Sequence, residues 1–440
     1  MKVALLYPEV YDMARFREQR KEFPPFGVLY LAAVTEAAGH QVEIHRVAPG
    51  HTALNLTGFD AVGFSLASSA TYGLMLQARR ETKLDPGTLV TAGGVHANFY
   101  PAEVLHDLAA DVVADGESED TILELLDHAH DRDFTGVPGV LFTRDGRTIR
   151  SPARPLMRDI DQLPLPARHL LPREDIVLTD RLAGTDTRMA HVMFSRGCPF
   201  PCSFCAVAQR RMQYRGGASA RIELAHLIDA YGIEGFAIVD DNFIVNKNKV
   251  TDICTQIADL GLRWSALSRV DTVDQALLQT MAASGCIEIK YGMESGSERL
   301  LKAMRKNTTQ AKIRAAVEMT SAAGISAKVF IIHGYPGEDI ETTRRPSACC
   351  ASCGRCSAGC RCSVSCRCPA PRCTPTPCCT ASAAPTSSQA GMATGASSTS
   401  TTTPAAGGAT TRNGPKPNGP TPSCAGSWKT NGARRGDDRC

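Results

Sequence analysis

The chain has 440 residues, 43% of them hydrophobic and 21% charged, enough for two or three domains that each bury a core. A formal net charge of +3 and scattered basic residues give no reason to expect a nucleic-acid partner. The apolar run after Met1-Lys2 is too short for a signal peptide, and no segment reaches about 18 consecutive apolar residues. The expectation is a cytoplasmic enzyme with no membrane partner.

Up to about residue 130, short apolar runs alternate with helical stretches, the pattern of a doubly wound α/β domain. Strands are predicted at Lys2–Tyr7, Val42–Arg46, Ala61–Ser65, Leu89–Ala92 and Val112–Ala114. Helices are predicted at Phe26–Ala38, near Thr71–Lys83, and at Pro101–Leu108 and Glu119–Ala129. The first of these helices stops at Gly39, a natural C-terminal glycine. A ligand of such a domain belongs at the carboxyl ends of the strands.

Residues 135–185 are rich in Pro, Arg and Asp and read as a linker with at most short elements between domains at 1–134 and 186–343. The alternation then resumes. Strands are predicted at His191–Ser195, Gly235–Val239, Arg263–Ser268, Cys286–Tyr291 and Ser326–Ile332, with helices between them. Five βα units in a row predict a partial (β/α) barrel with its chemistry at the strands' carboxyl ends.

From Arg344 to Cys440 there is no Leu, Ile, Phe, Tyr or His. Such a segment buries too little apolar surface to offset the entropy of ordering it. Thirteen of the 18 cysteines fall here, with no repeated ligand spacing. A metal-binding tail and a genuine disordered tail remain open. The expected reading is an unstructured, out-of-frame translation of GC-rich DNA, because the break interrupts a helix start.

Cys198, Cys202 and Cys205 carry the most specific signal: three thiolates within eight residues, on a loop after a strand. Three thiolates suit one face of a four-iron cube and leave the fourth iron open. A structural zinc site would want a further Cys or His nearby. Cys254 and Cys286 lie within a predicted helix and at a strand start, and read as core.

The spacing CxxxCxxC, preceded by Ser195-Arg196-Gly197 and containing Phe204, resembles the radical S-adenosylmethionine (SAM) superfamily. The resemblance covers residues 190–340. It implies a [4Fe-4S] cluster whose open iron chelates the amino and carboxylate groups of SAM, and reductive cleavage to a 5′-deoxyadenosyl radical. It further implies SAM contacts at Asp240, Asp241, Arg269, Glu294 and Gly334, besides Phe204. The alternative role of the two aspartates is to cap the next helix.

In the first domain, Phe26, Gly27, Ser65, Gly93, Gly94, His96, Gly116 and Glu117 occupy loop positions where a backbone can approach a large ligand. The set resembles the cobalamin-binding domain that precedes the barrel in one radical SAM class, and implies cobalamin, carried as methylcobalamin, as second cofactor. The lower-ligand motif D-x-H-x-x-G of many cobalamin domains is missing, since Met13-Ala14-Arg15 follow Asp12. No protein histidine is therefore expected beneath cobalt, and His96 reads as a packing or hydrogen-bonding residue.

The class implies a methyltransferase that uses SAM both as methyl source and as radical source, with an electron donor such as flavodoxin or ferredoxin. No side chain is assigned as a general base. Residues 1–340 resemble antibiotic-pathway members, especially P-methyltransferases of phosphinothricin biosynthesis, which implies a small-molecule phosphinate substrate. Carbon methylation or radical cyclisation of another natural-product intermediate remains open, as does an inactive or merely cobalamin-binding product. The run from Gln209 to Arg215 is either an anion-holding segment or a solvated loop.

Overall fold

The computed structural model describes residues 1–9, 24–206, 211–342 and 360–362. Asp12 and its neighbours, Gln209, Arg210 and nearly all of the cysteine-rich tail lie outside the described residues.

The first sheet contains β1 (Lys2–Pro8), β2 (Gln41–Val47), β3 (Ala61–Ser65), β4 (Leu89–Gly93), β5 (Val112–Ala114), β6 (Val140–Arg144) and β7 (Arg147–Arg150), in the order β2-β1-β3-β4-β5-β6-β7. The first five pair in parallel. Parallel strands are covered on both faces, which is why β1 is a continuous apolar run. Its alternate residues feed different cores. Val3, Leu5 and Tyr7 pack with the helix Phe26–Ala37, and Ala4 and Leu6 pack with Met75 and Val104.

The second sheet contains β8 (Val177–Leu182), β9 (Thr185–Val192), β12 (Gly235–Ile238), β13 (Arg263–Ser268), β14 (Cys286–Glu294), β15 (Ser326–Ile331) and β16 (Cys360–Cys362). A separate two-stranded ribbon, β10 (Ser195–Arg196) with β11 (Gln213–Tyr214), interrupts the chain order. The sheet runs β16-β15-β14-β13-β12-β9-β8, parallel from β9 to β16, with β8 antiparallel at one edge. This is an open βα barrel segment. Its core, around Val192, Phe236 and Trp264, is continuous with the Val3 and Leu5 face of the first sheet.

Two expectations need correction. The stretch read as linker holds the β6–β7 hairpin, which extends the first sheet, and strand β8. Asp145-Gly146 turns the hairpin with φ of 51° and 72°, the left-handed pair that a two-residue turn requires. The strand expected at His191–Ser195 begins earlier, as β9, and Ser195 belongs instead to the ribbon at the root of the cysteine loop. Beyond residue 343, the described residues Cys360–Cys362 lie as a short strand beside β15.

Candidate functional site

In the order β2-β1-β3, the chain reverses direction of winding between β1 and β3, and a ligand crevice forms there at the carboxyl ends. A cavity of about 290 Å³ occupies this place. Gly27, Ser65, Gly93, Gly94, Gly116 and Glu117 all line it, over a floor that includes Leu5 and Thr91. Gly94 has φ of +105°, and a Cβ there would stand 2.9 Å from the Leu66 carbonyl oxygen. That carbonyl already accepts the His96 N–H at 2.9 Å, so the backbone has no room to yield. Gly94→Ala is expected to cost about 1–3 kcal/mol of local strain. It should weaken cobalamin binding about tenfold, read by absorbance titration of the apoprotein. Wild-type affinity in that variant would separate the β4 turn from the cofactor.

Phe26 and His96 do not line the cavity. Phe26 packs on Tyr30 with the Arg168 guanidinium 5.6 Å above its ring. The His96 ring lies between Tyr72 and Tyr100, with centroids at 4.2 and 5.1 Å, and its Nδ1 is 2.9 Å from Ser69 Oγ. Burial holds its imidazole below the ordinary value.

Arg196 and Met193 of the second domain also line the cavity, which sequence reasoning missed. The Arg196 guanidinium donates to Glu119 at 2.6 Å, lies 3.5 Å from Glu117, and sits 5.0 Å above the Tyr30 ring. Burial works against its charge, but Glu119 and Glu117 outweigh burial and raise its pKa. No local pattern joins groups 77 residues apart.

The loop bearing Cys198, Cys202 and Cys205 springs from the β10–β11 ribbon. None of the three is in a disulfide; Cys198 and Cys202 are buried and Cys205 is half-buried. Asn242 Nδ2 is 3.9 Å from Cys198 Sγ, and Arg269 Nη1 is 3.4 Å from Cys202 Sγ. Both sulfurs thus face N–H donors, which suits thiolates that carry a cluster's negative charge. Among the described residues no three His, Cys, Asp or Glu groups gather as the ligands of one ion. Cluster thiolates each bind a different iron and stand farther apart.

The other side chains expected at this site follow the ends of β12, β13, β14 and β15. Asp240 is fully buried, accepting from the Phe194 N–H at 3.0 Å and the Ser195 hydroxyl at 2.6 Å. Burial pushes its carboxyl up to about 8 against those hydrogen bonds. Burial also raises Asp241, partly offset by the Gly197 N–H. Neither aspartate caps the next helix: Asn246 does, accepting from Lys249 N.

Arg269 has every nitrogen engaged. Asp271 takes Nε and Nη2 at 2.8 and 2.6 Å, the Lys306 carbonyl shares Nη2, and Cys202 takes Nη1. Glu294 ends β14 with φ of 63°, a conformation rare for a side-chain-bearing residue, and pairs with Lys306 Nζ at 2.8 Å in the interior. Gly334 begins a turn in which its N–H meets Glu338, and the neighbouring Tyr335 hydroxyl reaches Ser203 Oγ at 2.8 Å. The turn after β15 is thereby fastened to the cysteine loop. Phe204 is 37% exposed, with Lys306 Nζ 5.8 Å from its ring centre.

The described part of the Gln209–Arg215 run is not simply a solvated loop. Arg215 is buried, donating to Tyr30 and the Pro164 carbonyl at 3.3 Å, and Gln213 donates to the Met157 carbonyl at 2.6 Å. Cys254 and Cys286 are buried in the core, and burial pushes the Cys254 thiol up to about 11.

Residues 192–345 match the radical SAM superfamily and residues 16–126 match the B12-binding domain. An uncharacterized methyltransferase of Pyrococcus horikoshii is 31% identical over 78% of this chain and 76% of its own length. The anaerobic magnesium-protoporphyrin IX monomethyl ester cyclase of Rubrivivax gelatinosus is 25% identical over 78% of this chain and 64% of its own length. The cytidylyl-2-hydroxyethylphosphonate methyltransferase of Streptomyces wedmorensis is 26% identical, with 72% and 71% covered. The radical SAM methyltransferase TsrM of Kitasatospora setae, solved with cobalamin and a [4Fe-4S] cluster, shares the fold. Its TM-score is 0.61 at 19% identity, over 80% of this chain and 70% of that one. No helix among the described residues is long and apolar enough to cross a membrane.

Proposed function

We propose that this chain, which belongs to the radical SAM family with an amino-terminal B12-binding domain, transfers a methyl group to an antibiotic intermediate. The single observation that carries the reading is Arg196. It lines the cavity of the first domain, is paired there with Glu117 and Glu119, and stands two residues before Cys198. One short segment therefore leads from the cavity of the first domain into the cysteine loop, as a reaction shared between cobalamin and SAM requires.

When bound, the cluster supplies the electron that cleaves SAM, and cobalamin supplies a methyl carrier. Cys198, Cys202 and Cys205 would hold the cluster. Gly27, Ser65, Gly93, Gly94, Gly116 and Glu117 would surround cobalamin, with Phe26 and His96 outside that lining. Asp241, Glu294, Gly334 and Phe204 would border SAM, while Asp240 fixes the start of the cysteine loop through Phe194 and Ser195. The Tyr335–Ser203 contact fastens the turn after β15 to the cysteine loop.

The substrate we propose is a phosphinate precursor of phosphinothricin, with flavodoxin or ferredoxin as electron donor. Likeness to a phosphonate methyltransferase supports an organophosphorus substrate. Likeness to a cyclase supports radical cyclisation as the second reading. Anaerobic turnover with methyl-deuterated SAM distinguishes them. The expected products are S-adenosylhomocysteine, 5′-deoxyadenosine and a phosphinate carrying the deuterated methyl group. A methylated carbon would move the acceptor; deoxyadenosine without S-adenosylhomocysteine would favour cyclisation. We further propose that residues 344–440 are an out-of-frame translation, which resequencing downstream of codon 340 tests.

A further inference from the structure

We propose that Arg269 and Asn242 act on the cluster ligands, donating to the thiolates of Cys202 and Cys198 and raising the cluster's reduction potential. The inference rests on the reading of the three cysteines as cluster ligands.

Arg269 is fixed on every side but one. Asp271 holds Nε and Nη2 through a two-point fork at 2.8 and 2.6 Å, and the Lys306 carbonyl shares Nη2. Its planar group lies 3.9 Å from the ring of Phe200, itself within the cysteine loop. The direction left to Nη1 is toward Cys202 Sγ, 3.4 Å away. The side chain is buried, so solvent screens this contact weakly. A guanidinium keeps its charge at any working pH, and the planar fork cannot swing without breaking the Asp271 pair.

Asn242 adds an independent observation. It is 1% exposed, its Nδ2 is 3.9 Å from Cys198 Sγ, and its Oδ1 has no hydrogen-bond partner among the described residues. Leaving a buried amide oxygen unsatisfied costs about 1–3 kcal/mol, which packing alone would not favour over an apolar side chain. A sulfur ligand accepts hydrogen bonds and donates none, so the amide presents nitrogen to it. Two of the three thiolates thus receive N–H donors from the ends of β12 and β13. Reduction adds an electron whose charge spreads over the ligand sulfurs. Donors and a nearby cation stabilise that state, and the potential rises.

The test is a redox titration of the cluster in the full chain, loaded with cobalamin and without SAM, followed by electron paramagnetic resonance. Arg269→Gln and Asn242→Ala are expected to keep about four irons per chain. At the wild-type midpoint, the ratio of reduced to oxidised cluster should fall about tenfold in Arg269→Gln, which is about 59 mV for one electron. The fall should be smaller in Asn242→Ala. Arg269→Lys, which keeps the charge, should recover part of it. Iron-loaded variants with the wild-type midpoint would overturn the proposal. If Arg269→Gln fails to hold iron, an unchanged midpoint in Asn242→Ala overturns it equally. A wild-type chain that assembles no cluster would instead overturn the reading beneath it.

Discussion

Replacing Cys198, Cys202 and Cys205 together by alanine is expected to abolish both the iron–sulfur spectrum and SAM cleavage, from about four irons per chain to none. Cys254 and Cys286 cannot substitute, because both are sealed in the core and burial raises both thiols. The fold itself should survive. The loop is tied at its root by the β10–β11 ribbon, and at its tip by Ser203 to the Met304 carbonyl and Tyr335. Circular dichroism checks the fold, and iron analysis with detection of 5′-deoxyadenosine checks the site. A triple variant that kept either the cluster or the cleavage would remove the assignment.

The largest expected effect on stability is at Arg168. Its guanidinium pairs with Glu223 at 2.6 Å and donates to the His191 carbonyl at 3.1 Å, with side chains 3% and 0% exposed. Arg168→Ala leaves a carboxylate buried without its partner and should cost about 3–5 kcal/mol. The loss would appear as a lower urea midpoint. Replacing both partners, Arg168→Met with Glu223→Leu, should recover most of it, because two apolar groups need no desolvation. Equal midpoints for Arg168→Ala and wild type would show that the pair is idle.

Arg168 also marks where sequence reading stops. Periodicity found the longer helices and most strands of both sheets, because alternation and apolar runs are local properties. The three-cysteine spacing was equally legible, since its residues lie within one loop. Residues 135–185 were not: proline and charge there suggested a linker, although Asp145-Gly146 is a local hairpin signal. Arg168 and Arg215 in and after this stretch are interior groups whose partners, Glu223 and Tyr30, lie 55 and 185 residues away. The glycines of the cavity were found from strand ends. Phe26 was misplaced because a helix's first residue can face either the crevice or the neighbouring domain, and only tertiary packing decides.

Because Arg196 belongs to the cysteine-loop segment but finds its carboxylates at the end of β5 and the start of the following helix, the two domains are not interchangeable parts. A chimera given a relative's first domain would inherit a buried cation beside its corrin crevice. A donor bringing an acid at the position of Glu119 would pair it, and one at Glu117 would add to that pairing, so those two positions bear on which domains this barrel can accept.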